Sequence, residues 1–297
     1  MHHGHHEKYF QGRPQQLASN EIFFADDTAL LAINRTVMQH LLRRVETIAA
    51  RFGLTLNRDK CVMMARSGSP KIRFVNGTLV PLRASACYLG TPISITLKPE
   101  QELTARLSSV WSTTHQLKLF WNARHRSTRW KLLVLNSVLR PKAIYGLEGC
   151  IVNKALECRL DAALFCILRK IFRVPHTYVD RRYSNQWLLE RATAELYQSS
   201  GKTFERWSDT LKKKRFTFLG HVIRAGVGSP LFDCIFADAT LRTWVPAVRR
   251  AGRPRLTWTE TSMTKAWYTR TDIFYQHNEE HRGIIKTWAI NRESPFD

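Results

Sequence analysis

Phe24-Ala25-Asp26-Asp27 sets two adjacent carboxylates between apolar Ile22, Phe23 and Phe24 on one side and Ala29, Leu30, Leu31 and Ala32 on the other. Apolar runs flanking so short a polar step read as two strands joined by a tight hairpin. The turn lifts both negative charges out of an apolar sheet. Hard divalent cations take oxygen ligands, and like charges gather where something neutralises them, so such a turn suits a metal ion. An Asp pair ahead of a strand or helix also serves as a plain turn or cap. The neighbouring segments have to separate the two readings.

Working outward, Asn34 is placed to cap a helix in which Val37, Leu41, Val45, Ile48 and Phe52 form an apolar stripe, with Gly53 ending it. Leu54-Thr55-Leu56 and Cys61-Val62-Met63-Met64 read as short strand pieces around Asn57 and Lys60. Ile72-Arg73-Phe74-Val75, then Asn76-Gly77, then Thr78-Leu79-Val80 predict a second hairpin. Tyr88-Leu89-Gly90 opens one more extended segment through Ile95. Residues 21–96 are therefore expected to form a small antiparallel sheet with one packed helix.

From Pro99 the apolar period becomes helical. Leu103, Leu107, Val110, Thr114 and Leu117 mark one stripe. Leu132, Leu133, Leu135 and Val138 mark a helix that Pro141 is expected to stop, and Leu156, Leu160, Ala163, Ile167 and Ile171 mark a third, closed by Pro175. Residues 97–180 thus predict a helical bundle, and 181–297 a basic, mostly helical region; the expected class is α+β. In that last region Lys212-Lys213-Lys214-Arg215 runs into Phe216 and Phe218, and Arg249, Arg250, Arg253 and Arg255 precede Trp258. Residues 1–20 read as a tail. Its His-rich opening, Met1 to Gly12, is either native or a degraded affinity tag, and carries no predicted metal site.

Charge narrows the function classes. The 297 residues hold 46 Lys+Arg against 24 Asp+Glu, a formal +22, so a polyanionic partner is expected, nucleic acid above all. The two basic clusters are the candidate phosphate contacts, with the nearby rings able to stack on bases. A solvated charged face is the bland account of such runs. No apolar run approaches the ~20 residues of a membrane span, so no membrane partner is expected. The six cysteines form no CxxC pair, and Cys150, Cys158 and Cys166 recur every eight residues, which predicts buried, reduced thiols of an intracellular protein, nuclear or cytoplasmic being undecided. Oligomeric state is not legible.

The order of segments resembles the later palm motifs of non-LTR (LINE-like) retrotransposon reverse transcriptases. The FADD hairpin is followed by a helix, Gly53-Leu54-Thr55-Leu56-Asn57 with Lys60, an Asn-Gly hairpin, and Tyr88-Leu89-Gly90-Thr91-Pro92-Ile93. Arg140-Pro141-Lys142-Ala143-Ile144-Tyr145-Gly146-Leu147-Glu148 resembles the family's thumb segment. Phe218-Leu219-Gly220-His221-Val222-Ile223-Arg224, Gly252-Arg253-Pro254-Arg255 and, more weakly, Ala289-Ile290-Asn291-Arg292 resemble C-terminal segments of such proteins.

The resemblance implies a partial polymerase palm, a helical thumb and a basic C-terminal region. It implies RNA and DNA as partners and, in the parent enzyme, two-metal nucleotidyl transfer by an RNA-directed DNA polymerase using Mg²⁺. Asp26 matches the metal-ligand position and Asp27 its neighbour. Lys60 matches a residue proposed to act on the pyrophosphate leaving group, though a solvated charge is the alternative, and Asn57 reads equally as a turn residue. Tyr88, Leu89 and Gly90 match the primer grip. The family's third carboxylate comes from an earlier strand, whereas Glu7 and Glu21 are the only acids before Phe24 and match no motif. The chain is thus expected to resemble the back half of such an enzyme, inactive alone and weak in Mg²⁺ binding, with an open sheet edge and marginal stability. The alternative is a non-catalytic RNA- or DNA-binding protein derived from such an element.

Overall fold

The computed structural model describes residues 21–24, 26–66, 68–94, 99–197, 202–243, 257–271, 275–276 and 278–291. The fold is α+β and mostly helical, with two two-stranded antiparallel sheets among the described residues. The described residues divide into two compact units, one ending before and the other beginning at Pro99. No helix among the described residues is long and apolar enough to cross a membrane.

In the smaller unit, β1 (Glu21–Phe24) and β2 (Asp27–Leu30) pair antiparallel with Phe24 opposite Asp27. Helix α1 (Arg35–Arg51) begins where the Asn34 side chain accepts the Val37 N–H at 2.9 Å. It ends in a left-handed turn at Gly53 (φ 71°), with the Leu54 N–H reaching back to the Ala49 carbonyl at 3.0 Å and Gly53 N–H to Ala50 at 3.1 Å.

The face that α1 buries is rotated from the predicted stripe. Leu42 is buried and Met38 packs beside it against Met63, Ile72 and Phe74, while Ile48 and Phe52 stay exposed. Polar side chains fix that rotation. Gln39 accepts the Arg73 N–H at 2.8 Å and donates to its carbonyl at 2.6 Å, and Glu46 accepts the Val75 N–H at 2.7 Å. These bonds satisfy an edge of the 72–80 hairpin as a neighbouring strand would.

That hairpin turns at Asn76-Gly77 as expected, through Gly77 N–H to Phe74 O and Phe74 N–H to Thr78 O, both 2.9 Å. It is irregular, however, with a single bridge, Arg73 to Leu79. Among the described residues the small antiparallel sheet expected over 21–96 is divided into two two-stranded hairpins. The 54–56 and 61–64 pieces yield only a Met63–Leu82 bridge, because the turn at 57–60 leaves each piece too short to pair. The extended segment expected from Tyr88 is itself a hairpin, β3 (Ser85–Tyr88) with β4 (Thr91–Ser94).

The larger unit starts with α2 (Pro99–Gln116), which buries Leu103, Leu107, Val110 and Thr114 as its spacing predicts. Then come α3 (Lys118–Asn122), α4 (Thr128–Val134), a π-helical turn (Leu135–Leu139) and α5 (Arg140–Ile144). Pro141 does not stop this helix. It sits in the first turn after the π segment, whose wider winding relieves the clash a proline ring makes with a preceding carbonyl. The π turn also re-phases the face, so Leu132, Leu135 and Leu139 are buried while Leu133 and Val138 are exposed.

Helix α6 (Lys154–Phe172) is capped by Asn153, buries Leu156, Leu160, Ala163, Ile167 and Ile171, and closes at Arg173 in the left-handed region (φ 58°). Cys158 and Cys166 are exposed, against the buried-thiol expectation: eight residues repeat a helical face, but theirs is the outer one. All six cysteines are free.

Helices α7 (Asn185–Tyr197) and α8 (Trp207–Ala225) complete the first core, which runs from Leu103 to Leu211 across residue 180. A second core joins the C-terminal half of α8 to α9 (Pro230–Asp233), α10 (Trp258–Arg270) and α11 (Glu279–Ile290). Helix α8 is therefore the shared strut. Its first turn is held from α6, where buried Asp161 accepts the Ser208 N–H at 2.9 Å and hydroxyl at 2.7 Å. Near its far end, the Arg224 guanidinium donates to the Ala289 carbonyl at 2.6 Å.

Candidate functional site

The β1–β2 register puts Asp26 in the turn and Asp27 at the first position of β2, both exposed. Among the described residues neither makes an ion pair, and no three His, Cys, Asp or Glu side chains converge as a metal cluster. Mg²⁺ is usually held by one or two carboxylates together with waters and substrate phosphates in an octahedron. Asp26 and Asp27, both exposed, supply the carboxylate part of that requirement.

Lys60 is exposed and joined to neither Asp. Its backbone N–H is taken by Asn57, by the carbonyl at 3.2 Å and the side chain at 3.3 Å. Asn57 thus serves as a turn residue.

Tyr88, Leu89 and Gly90 form the tip of the β3–β4 hairpin, with Tyr88 opposite Thr91. Leu89 (φ 50°) and Gly90 (φ 70°) are both left-handed, the geometry of a type I′ turn. Gly90 takes that region freely, whereas a leucine costs about 1–2 kcal/mol there. The Tyr88 hydroxyl is buried without a hydrogen-bond partner.

Lys212, Lys213, Lys214 and Arg215 do not form a free basic patch. Four consecutive residues fan around α8 at 100° intervals. Lys212 pairs with Asp209 at 2.7 Å, Lys213 with Glu205 at 2.9 Å and Lys214 with Glu148 at 3.7 Å. Arg215 is only 2% exposed, with Nε and Nη2 unpartnered, and burial holds its pKa below the ordinary value against the pull of Glu157. The neighbouring rings are not stacking platforms either: Phe216 is buried in the second core and Phe218 packs against it. Arg249, Arg250, Arg253 and Arg255 lie outside the described residues.

The structure brings the 218–224 segment together with the end of α11. Gly220 on α8 faces Ala289 on α11, whose Cβ would lie 3.8 Å from a Cβ added at Gly220.

What the sequence reading passed over is a set of cations around the C-terminal end of α6. Arg169 donates to the carbonyls of Phe165 and Tyr183 and to the Asn185 side chain, and Arg173 to the Asn122 carbonyl at 2.9 Å. Lys131 donates to the Trp121 and Ala123 carbonyls at 2.7 and 2.8 Å. These partners are neutral, so each bond satisfies an acceptor and leaves the positive charge uncancelled. Burial lowers the pKa of Lys131, and the Arg173 charge lowers it further. In sequence these residues are scattered from 131 to 173, so no run announces them.

No protein-family model, no curated protein and no solved structure matches this chain.

Proposed function

We propose that this chain is the C-terminal portion of a non-LTR retrotransposon-type reverse transcriptase and acts by binding nucleic acid. The parent reaction is two-metal, RNA-templated DNA synthesis. What supports the ancestry is the ordered set of motifs from the FADD hairpin onward, and the observation that carries it is the hairpin's register. Phe24 opposite Asp27 puts the carboxylate pair at a strand tip directly ahead of a capped helix. Two-metal chemistry needs carboxylates that the protein presents together at an open site. The Leu89-Gly90 tip fits a close approach to a primer backbone, and the segments at 97–180 and 181–297 stand for thumb and C-terminal region.

Retained catalysis is a different matter from ancestry. Mg²⁺ binding at Asp26 and Asp27 is expected to be weak until waters and substrate phosphates complete the octahedron. Nucleic-acid binding without polymerisation is favoured instead by the formal charge of +22. Purified protein given a primed RNA template, deoxynucleotides and Mg²⁺ is expected to bind the template and not extend the primer. Asp26→Ala is expected to leave that binding unchanged. Extension by the wild type that Asp26→Ala abolishes would make the chain an active polymerase.

A further inference from the structure

We infer that a cleft between the C-terminal halves of α2 and α6 is a binding site for single-stranded nucleic acid. This rests on the nucleic-acid-binding reading and gives it a location. The cleft has a volume of about 580 Å³ and is lined by Trp111, Thr114 and His115 from α2, by Cys166, Ile167, Arg169, Lys170 and Arg173 from α6 and its cap, and by Val174 and His176. That volume falls in the ~300–1,000 Å³ range of small-ligand pockets, room for a nucleotide or two of a threaded strand.

Charge is the first argument. Among the described residues no carboxylate lines the cleft, and its cations are bonded to neutral acceptors or to nothing. Asp180, the acid on the following loop, is already held by Arg182 through both carboxylate oxygens. Arg169 is 94% buried in the wall (6% exposed) and its Nε has no hydrogen-bond partner. A guanidinium withdrawn from water keeps its full charge where screening is weak, so its field reaches an anion in the cleft. The lysines of α8, each tied to a carboxylate, offer no such field.

Aromatic surface is the second argument. Trp111 lines the cleft and is 40% exposed, although it sits on a helix whose next residue inward, Val110, is fully buried. His176 lines it too, and stacks on Tyr178 with centroids 5.5 Å apart at 15°, leaving Tyr178 85% exposed. Cations that track a backbone, together with rings open to bases, are what proteins use to hold single strands. Capping of helix carbonyls explains the Arg173 bond; it does not explain the exposed rings or the lack of a counter-charge.

Arg173 supplies a clean test. Its left-handed φ favours glycine, so Arg173→Gly removes the charge from a position that prefers the new residue. Binding of a fluorescent oligouridine or oligothymidine to the full chain is followed by anisotropy for wild type, Arg173→Gly with Lys170→Gln, and Trp111→Ala. The double variant is expected to keep its melting temperature, bind more weakly and flatten the slope of log K against log salt by about 1.4, two single-strand phosphate contacts. Trp111→Ala is expected to weaken binding about tenfold with the slope unchanged. Cys158 and Cys166 are both exposed on α6, and only Cys166 lines the cleft. Bound oligonucleotide should therefore slow alkylation of Cys166 and spare Cys158. If the wild type binds and these variants bind equally, or both thiols react alike, the cleft is not the site, while the nucleic-acid reading stands. Stronger capture of duplex than of single strand also overturns the assignment. If the wild type binds no oligonucleotide at low salt, both fall.

Discussion

Asp161 shows how a single buried carboxylate organises the larger unit. Burial raises its pKa while the two Ser208 bonds pull the other way, and those bonds cap a helix whose own flanking residue, Arg206, has no capping side chain. Asp161→Ala strands the Ser208 N–H and hydroxyl in the interior, so a loss of about 1–3 kcal/mol is expected in denaturant titrations. Asp161→Asn keeps an acceptor and should cost less; equal losses would mean that the bonds to Ser208 do not matter. Tyr275 carries a pH signature. Burial pushes its phenol up to about 12 from an ordinary 10. Between those values the unfolded chain loses the proton and the folded chain keeps it, so stability falls as pH rises from about 10 to about 12. The ring packs against Trp267, and Tyr275→Phe keeps the ring without the proton. The variant is thus expected to lose less stability than the wild type over that interval in matched thermal melts, and parallel curves would refute the assignment.

At the scale of elements, the contact between α8 and α11 depends on a missing side chain. A Cβ at Gly220 would sit 3.0 Å from Arg224 Nη1, the group that holds the Ala289 carbonyl. Gly220→Leu is expected to destabilise by about 1–3 kcal/mol through overpacking, and an unchanged denaturation midpoint would show that the helices do not meet there. Helices of this kind were legible in the sequence where a cap or a regular stripe marks them, as at Asn34 and along the 156–171 stripe. The burial face of α1 was not, because Gln39 and Glu46 set its rotation through bonds to the distant 72–80 hairpin. Nor was the outward turn of Cys158 and Cys166, since spacing reports a shared face without saying which one. Asp26 and Asp27 were readable as a hairpin tip from local pattern alone. The uncancelled cations near Arg173 were invisible, because what distinguishes them is the neutrality of partners brought from other helices. The run at 212–215 misled for the converse reason: its carboxylates come from Glu148, Glu205 and Asp209, two of them outside the run's own helix.

For the molecule as a whole, apolar burial is concentrated in the larger unit, while the smaller one rests on Leu42, Met63, Ile72 and Phe74 and leaves Phe24, Ile33, Phe52 and Leu54 exposed. A unit with so small a core contributes little stability. The proposed nucleic-acid binding draws on positive charge and is independent of the carboxylate pair. The most direct measurement is the affinity of the full chain, wild type and Asp26→Ala, for a labelled single-stranded RNA across a salt series. Both proteins are then expected to bind at low salt, with log K falling linearly with log salt by about 0.7 for each phosphate neutralised. Absence of binding at low salt, or an affinity that salt does not change, would contradict the proposal.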